Sequence, residues 1–297
     1  MSKKLVSLFL ALLMMFSMTT VLAEDTTITV TDMFGREVTI EGPVTRIIAL
    51  EPSDCEMLCA IGCGDALVGR GKYCDYPASV LELPAVQSGA NTNLEEILTL
   101  NPQVVVMSDM AHTTEQVELL EKNGVRVIGT DANSIEEVYA NIRLLGVIMG
   151  KEAEAEAVIA GMQATFADVA AKSEKTDKTI YFEVMPLEWG LWSAGANTFM
   201  HELAEICGMK NAFADIDGWQ QVSQEQVIER SPDYIVLVTG MGEAAVDEVM
   251  ARAGWENITA IKNGAVYNAD SYAMTRPAPR LAEAVVDLYN FLNGITE

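Results

Sequence analysis

The sequence predicts an α/β protein built from two lobes, each with a mainly parallel sheet, joined by one long rigid helix. Three observations carry this prediction. Short apolar runs alternate with amphipathic stretches along most of the chain, a pattern typical of parallel strands with crossover helices. One segment occurs twice, in equivalent places of the two halves. A long stretch rich in alanine and glutamate separates the copies.

The repeated segment covers residues 93–103 and 223–233, which align without a gap and run into apolar residues at 104–106 and 234–237. Each copy begins at a good helix N-cap, Asn93 or Ser223. Two turns of predicted helix follow, then a proline that stops the helix, then an apolar run that predicts a buried strand. The same helix–strand unit is therefore expected once in each lobe.

Two glutamates occupy equivalent positions in the two copies. Glu96 and Gln226 lie three residues after the caps, where a capping-box side chain reaches back to the cap. Glu95 and Glu225 are not the capping partners and are free to point outward. A single acidic residue in a first turn often only complements the helix dipole. A matched pair instead suggests one glutamate on top of each lobe.

Length and composition limit the class of protein. A chain of 297 residues can bury a large core, and two domains are the natural expectation. With 50% hydrophobic and 21% charged residues, the chain is an ordinary globular protein. Its formal net charge of -24 argues against nucleic acid and anionic membrane surfaces as partners.

Residues 1–23 have the features of a secretory signal peptide. Lys3 and Lys4 precede an apolar run that is too short to span a bilayer, and Ala23 precedes the expected cleavage point. No cysteine follows Ala23, so no lipid-attachment site is expected. The mature protein is therefore expected to be exported, periplasmic or extracytoplasmic, soluble and not a lipoprotein.

The mature chain divides into a lobe at residues 24–151, a connecting helix at 152–176 and a second lobe at 177–297. The connecting stretch contains no proline and one glycine, which predicts a stiff connector rather than a flexible linker. Its apolar residues fall at helical spacing: Val158, Met162, Phe166 and Val169.

Four of the five cysteines lie close together in the sequence. Cys55, Cys59 and Cys63 recur every four residues, which places them on one helix face. Buried small side chains are the favoured interpretation. A thiolate metal site and a disulfide between Cys63 and Cys74 stay open as alternatives. The odd count leaves at least one free thiol in an exported protein.

Several short motifs in this order resemble the iron-siderophore, haem and cobalamin class of substrate-binding proteins of ABC importers. The resemblance covers nearly all of the mature chain and is carried by residues 46–53 (RIIALEPS), 73–77 (YCDYP), 93–97 (NLEEI), 218–223 (GWQQVS) and 276–280 (RPAPR).

The resemblance implies the class III periplasmic binding protein fold, in which two Rossmann-like lobes joined by one long helix grip a small ligand. It also implies that Glu95 and Glu225 dock into arginine pockets of a membrane permease dimer, which works with an ATPase. The binding protein itself is expected to be a monomer.

The ligand site is expected where loops at the carboxyl ends of strands from both lobes face each other. Aromatic faces suit a macrocycle or aromatic chelator, and arginines suit carboxylates or catecholates. Trp219 is an equal candidate for packing inside its lobe, and Trp189 and Trp192 are expected in a loop. The candidates are Glu51, Arg70, Lys72, Tyr73, Met110, Trp189, Trp192, Trp219, Tyr272 and Arg276.

A ferric siderophore is the first expectation for the ligand, cobalamin or another corrinoid the second, and haem the third. Haem would need an axial ligand, for which Tyr73 or His112 could serve. A bare metal ion is disfavoured because the chain has only His112 and His201. No cofactor is expected apart from this cargo.

An enzyme is not expected, because the sequence contains neither a nucleophile-elbow motif nor a phosphate-binding glycine loop. An exported sensory module that never meets a permease is the remaining alternative class.

Overall fold

The computed structural model describes residues 27–89, 91–108, 113–242 and 244–295. The targeting segment 1–23, and the candidate residues Met110 and His112, lie outside these ranges. Within the described ranges, no helix combines the length and apolar character that a membrane crossing requires.

The first half contains a hairpin and a five-stranded parallel sheet with helices packed on it. The hairpin pairs β1 (Thr27–Thr31) with β2 (Glu37–Glu41) in antiparallel register. The sheet, in spatial order β5-β4-β3-β6-β7, has the strands β3 (Ile47–Ala49), β4 (Leu67–Gly71), β5 (Ala85–Val86), β6 (Val104–Met107) and β7 (Arg126–Gly129). The helices are α1 (Pro52–Ala60), α2 (Leu94–Thr99), α3 (Thr114–Lys122) and α4 (Ile135–Met149).

The second half follows the same scheme with a four-stranded parallel sheet in spatial order β10-β8-β12-β13. Its strands are β8 (Thr179–Glu183), β10 (Lys210–Asn211), β12 (Tyr234–Leu237) and β13 (Val266–Asn268). A separate antiparallel pair consists of β9 (Trp192–Ala194) and β11 (Trp219–Gln221). The helices after the connecting helix α5 (Glu152–Lys172) are α6 (Phe199–Ile206), α7 (Gln224–Arg230), α8 (Ala244–Met250), α9 (Thr259–Asn263), α10 (Ser271–Thr275) and α11 (Leu281–Leu292).

The connecting helix α5 spans Glu152–Lys172 and packs against α4 of the first half and α11 of the second. It ends slightly before the expected boundary at residue 176. Of the four apolar residues that the sequence singled out, Val158 is half-buried and the other three are buried. The buried face alternates steps of four and three residues, so it forms one stripe along the helix: Ala155, Ile159, Met162, Phe166 and Val169.

The sequence repeat is confirmed as a structural repeat. The two copies form α2 followed by β6 and α7 followed by β12, and each strand lies inside its parallel sheet. Both helix–strand junctions pass through the left-handed region, with φ of 49° at Asn101 and 43° at Ser231. Non-glycine residues seldom adopt this conformation. Because the two equivalent residues both have this left-handed backbone conformation, the two junctions have the same geometry.

The helix caps of the two copies differ. Ser223 and Gln226 form the predicted capping box of α7. In the first copy, the Asn93 side chain accepts from the Glu96 backbone, but the Asn93 N–H donates to the carbonyl of Gln87 at 3.0 Å. Because that donor already has a partner, the expected return contact from the Glu96 side chain is not what caps this helix.

The expectation that Trp189 and Trp192 occupy a loop is wrong. Trp189 ends a single 3-10 turn, and Trp192 begins β9, where it pairs with Gln221 of β11. Strands of three residues are too short for hydrophobic alternation to reveal them.

All five cysteines have free thiols in this structure. Cys55, Cys63, Cys74 and Cys207 are buried and Cys59 is half-buried, as the favoured interpretation predicts. The alternative of a disulfide between Cys63 and Cys74 is not formed. Cys63 lies beyond the end of α1, whereas Cys74 packs beside Cys55 on the same backbone carbonyl.

Candidate ligand-binding cleft

A cleft of about 590 Å³ lies between the two halves. Residues that directly follow strands build it, because the carboxyl ends of parallel strands meet at one edge of a sheet. Ser108 follows β6, Thr130 follows β7 and Val184 follows β8, while Glu51 lies between β3 and α1. The expected location of the site at the facing strand ends thus corresponds to a cavity in the structure.

Aromatic side chains form the wall that the second half contributes. The rings of Phe199 and Trp219 are 5.3 Å apart and tilted by 59°. Trp192, 37% exposed, lines the cleft beside them. Trp219 also donates from Nε1 to Oδ1 of Asn133 in the first half, at 3.2 Å. Trp219 therefore combines both roles that the sequence left open, since it packs on Phe199 and faces the cleft.

A set of buried and half-buried charges, the arginine clamp, joins the two halves beside the cleft. It consists of Glu56 and Asp75 from the first half and Arg276 and Arg280 from the second. Arg276 donates from Nη1 to Asp75 at 2.6 Å and to Glu56 at 3.2 Å. Arg280 donates to both oxygens of Glu56, at 2.9 and 2.6 Å. Arg276 also lines the cleft, so a ligand would meet an arginine that carboxylates already hold.

A buried carboxyl group lies directly behind the cleft wall. Asp54, in the first turn of α1, accepts from the Thr130 hydroxyl at 2.8 Å and from the Asn141 amide at 3.1 Å. Thr130 and Asn141 themselves line the cleft. Burial raises the pKa of Asp54 from 3.8 to about 6, against the opposing effect of both hydrogen bonds.

Three predicted ligand residues, Tyr73, Tyr272 and Lys72, lie near Arg276 but do not line the cleft. Tyr73 and Tyr272 are 63% and 54% exposed. The Arg276 guanidinium lies 4.2 Å from the Tyr272 ring centre and donates to the Tyr73 carbonyl at 3.4 Å. Lys72 places its Nζ 5.8 Å from the Tyr73 ring centre. The structure thus groups these three residues around Arg276, and their contact with a ligand remains a prediction.

Arg70 and Trp189 do not fit the predicted ligand-facing role. Arg70 is buried, and its Nη1 donates to the carbonyls of Gly71, Lys72 and Cys74. These contacts brace the loop after β4, so Nη1 of Arg70 is already occupied within the protein. Trp189 is 65% exposed and lies outside the cleft.

The sequence did not single out Asn133, Phe199 or Asn141, which also line the cleft. Asn133 could have been found, since it lies in the loop after β7, one of the strand ends expected to face the ligand. Phe199 and Asn141 are on helices, where a lining residue cannot be told from a packing residue by periodicity alone. A smaller cavity of about 380 Å³ has only residues of the second half in its lining, between Glu183 and Val249.

Glu95 and Glu225 occupy the second position of α2 and α7 and are both exposed. The pKa of Glu225 is lowered by hydrogen bonding to its own backbone and to the Ser223 hydroxyl, so it stays ionised at neutral pH. Two solvated carboxylates at equivalent places of the repeat are available to a basic partner surface.

Comparison with known proteins agrees with this geometry. A model of the periplasmic binding protein family matches residues 47–273. The chain is 33% identical to an uncharacterized ABC transporter substrate-binding lipoprotein, YvrC, of Bacillus subtilis (strain 168), over 88% of this chain and 84% of that one. It is 29% identical to a vitamin B12-binding protein of Vibrio parahaemolyticus, over 85% of this chain and 91% of that one.

Among solved structures, the chain resembles a possible iron-binding (periplasmic solute-binding) protein from Staphylococcus epidermidis ATCC 12228. The TM-score is 0.74 at 27% identity, with 84% of this chain and 98% of that chain covered. This similarity confirms the expected α/β fold class. These relatives are binding proteins and not enzymes.

The relative from Bacillus subtilis corrects one expectation. That protein is a lipoprotein, whereas the absence of a cysteine directly after Ala23 led us to expect a protein without a lipid anchor. The expectation of an unlipidated protein is wrong by this comparison, while an exported location agrees with it.

The family match covers most of the chain, and 84% of the substrate-binding lipoprotein aligns with it. The chain belongs to the periplasmic binding protein family, and it has the fold of an ABC importer's substrate-binding protein.

Proposed function

We propose that the protein captures a metal chelate outside the cytoplasm and delivers it to the permease of an ABC importer. The observation that carries this proposal is the cleft of about 590 Å³ between the halves. Its walls come from both sheets, and aromatic rings from the second half line it. Clefts of this size bury most of a small organic ligand, and the named relatives support capture followed by delivery.

Cobalamin or another corrinoid is the first candidate ligand, ahead of the ferric siderophore that the sequence favoured. The polar lining consists largely of amide and hydroxyl groups, which match the neutral amides around a corrin ring: Ser53, Ser108, Thr130, Asn133 and Asn141. Among the described lining residues, Arg276 is the one cation, and Asp75 and Glu56 hold it. A highly anionic chelate would therefore lack a counter-charge.

A ferric siderophore with uncharged hydroxamate arms remains the second candidate, because it needs no counter-charge either. The iron-binding protein from Staphylococcus epidermidis supports this choice. Haem is third, since its two propionates need cations and Tyr73, its candidate axial ligand, is exposed and does not line the cleft.

Delivery involves a permease dimer with its ATPase, and Glu95 and Glu225 are the proposed contacts. A permease of two like subunits presents two similar basic pockets, which a monomeric carrier with two exposed acids can match. Charges at such a contact steer the encounter and fix its register more than they add affinity.

A ligand screen tests this function. Native mass spectrometry and thermal unfolding are measured with cyanocobalamin, a ferric hydroxamate and haemin. A ligand present at about 100 times its Kd stabilises the native state by about 2.7 kcal/mol, a rise in Tm of several degrees. We expect this rise with cyanocobalamin.

Two tryptophan variants locate the site. Trp219→Ala removes an aromatic wall of the cleft, and we expect it to weaken binding at least about tenfold. Trp189→Ala removes an exposed tryptophan outside the cleft and should leave binding unchanged. The proposal is contradicted if none of the three chelates binds. It is also contradicted if the Trp219→Ala variant binds as tightly as the wild type.

A further inference from the structure

Two buried thiols of the first half converge on one backbone oxygen. The Cys55 thiol, on α1, donates to the carbonyl of Ala49 at 3.8 Å, and the Cys74 thiol, in the loop after β4, donates to the same carbonyl at 3.7 Å. The two side chains also interact, since the Cys74 thiol is the first cause of the raised pKa of Cys55. Two sulfurs that share one acceptor lie close together, which is the first geometric requirement for a bond between them.

The backbone around these thiols is held closely. Gly71 packs closely against the backbone at the end of β3. A Cβ atom built on it would come within 1.9 Å of the carbonyl oxygen of Leu50, the residue after β3. The Cys74 N–H donates to the Gly71 carbonyl at 3.0 Å, so Cys74 follows a tight turn directly after β4. Cys55 is fixed by the helix that starts after β3. The juxtaposition of the two thiols therefore follows from the adjacent parallel strands β3 and β4.

We propose that Cys55 and Cys74 form a disulfide bond in the exported protein. Disulfides form and persist outside the cytoplasm, where the family places this chain. The other cysteines fit the pairing less well. Cys63 lies beyond the end of α1, and the Cys207 thiol donates to the Val285 carbonyl in the second half.

The bond would act on the arginine clamp beside the cleft. Glu56 is the neighbour of Cys55 on α1, and Asp75 is the neighbour of Cys74 in the loop. These are the two carboxylates that hold Arg276. A disulfide would join helix and loop covalently, so both acidic partners of Arg276 would move as one unit.

The chemistry balances with a low-molecular-weight disulfide as oxidant. One protein thiolate attacks a sulfur of oxidised glutathione, which forms a mixed disulfide and releases one glutathione thiolate. The second protein thiolate then attacks the protein sulfur of the mixed disulfide and releases the second glutathione. The protein loses two protons and two electrons, and the oxidant becomes two thiols.

Oxidation is expected to occur while the chain folds. In the native state, the interaction with the Cys74 side chain and burial both raise the pKa of the Cys55 thiol, so little thiolate is present. An unfolded chain emerging from the membrane has ordinary thiols and meets the oxidant freely. Once formed, the bond would be shielded from reductants by the same burial.

The test compares oxidised and reduced protein. Protein exported into a bacterial periplasm, and protein refolded with oxidised and reduced glutathione, are treated with an alkylating agent and digested without reductant. Mass spectrometry should find a peptide joining Cys55 to Cys74 that is two hydrogens lighter than the two separate peptides. Reduction should lower Tm by about 5 °C or more, because the bond closes a short loop of the unfolded chain.

Two variants serve as controls. Cys207→Ser alters a buried thiol remote from the pair and should keep the cross-link and the redox-dependent Tm. Cys74→Ser should abolish both. Alkylation of Cys55 and Cys74 in both preparations, or a cross-link that uses Cys59 or Cys63 instead, overturns the proposal; the wild-type mass spectrum decides even where a variant folds poorly.

Discussion

Asp54 is a single residue that couples the cleft to folding stability. It is fully buried, and its two hydrogen-bond partners, Thr130 and Asn141, line the cleft. Its pKa is about 6 in the folded protein, whereas an aspartate in an unfolded chain has the ordinary pKa of 3.8. The folded state therefore holds a proton on Asp54 more tightly than the unfolded state does.

The sign of the pH dependence follows from this difference. The stabilising effect of the bound proton is fully present below about pH 4 and is lost as the pH rises through about 6. The difference of about two pKa units corresponds to about 3 kcal/mol. We expect Asp54→Asn, which cannot ionise, to be more stable than the wild type at pH 8 by up to this amount.

Urea unfolding at several values between pH 4 and pH 8 measures the effect. The stabilities of the two proteins should converge below about pH 4, diverge as the pH rises to about 6 and differ by a constant amount above it, with equal slopes in urea. A wild type whose stability relative to Asp54→Asn is constant over this range would show that Asp54 titrates normally.

The sequence predicted which residues lie near the strand ends, but not which contacts their side chains make. Trp192, Trp219 and Arg276 were predicted to face the ligand and do line the cleft, since each lies in or beside a segment near strand ends. Arg70 was predicted on the same grounds, yet it binds three carbonyls of its own loop. Tertiary packing determines which way such side chains point, and a single sequence does not reveal those contacts.

Helix α5 and its neighbour α4 offer a direct test at the scale of secondary structure. Gly161 lies in the middle of α5 with an exposed position, and a Cβ atom there meets nothing within 4 Å. Glycine inside a helix is about 1 kcal/mol less favourable than alanine. We expect Gly161→Ala to raise the free energy of unfolding by about 1 kcal/mol.

Gly146 of α4 is the matched control. A Cβ atom there would lie 2.7 Å from Cβ of Ala155, where α4 and α5 approach closely. Gly146→Ala gains the same helix propensity but forces the two helices apart, at a cost of about 1–3 kcal/mol. Urea unfolding should thus show shifts of opposite sign. A stabilised Gly146→Ala would mean that the two helices do not pack closely.

The elements that the sequence predicted well are the long and the repeated ones. The strand–helix alternation, the connecting helix and both copies of the repeat are present, with boundaries shifted by a few residues. The antiparallel pair β9–β11 and the short helices α9 and α10 were missed. Each has three to five residues, which is less than the window over which an amphipathic period can be recognised.

At the scale of the whole molecule, contacts from one half to the other border the cleft. The arginine clamp joins them through Glu56 and Asp75. Asn133 accepts from the Trp219 indole and from the backbone of Phe199, and the Glu202 carboxylate accepts from the Ile135 N–H at 2.6 Å. With α5 packed on both halves, these contacts favour a preformed cleft.

Such a molecule can present Glu95 and Glu225 at a fixed separation, which two basic permease pockets would require. We expect Glu95→Ala/Glu225→Ala to bind its chelate as the wild type does, because both side chains are solvated and outside the cleft. Uptake into vesicles that hold the permease and its ATPase should be lost, since the acids steer and orient the encounter.

The matched control, Glu96→Ala/Glu229→Ala, removes the same charge from other exposed positions of α2 and α7. It should keep most of its uptake, so a general effect of net charge is distinguished from docking at two positions. Chelate binding is measured on every variant, which separates loss of delivery from loss of capture. Normal uptake by the Glu95/Glu225 double variant would exclude both residues from delivery. An equal loss of uptake in the control variant would mean that net charge, and not docking at these two positions, explains the effect.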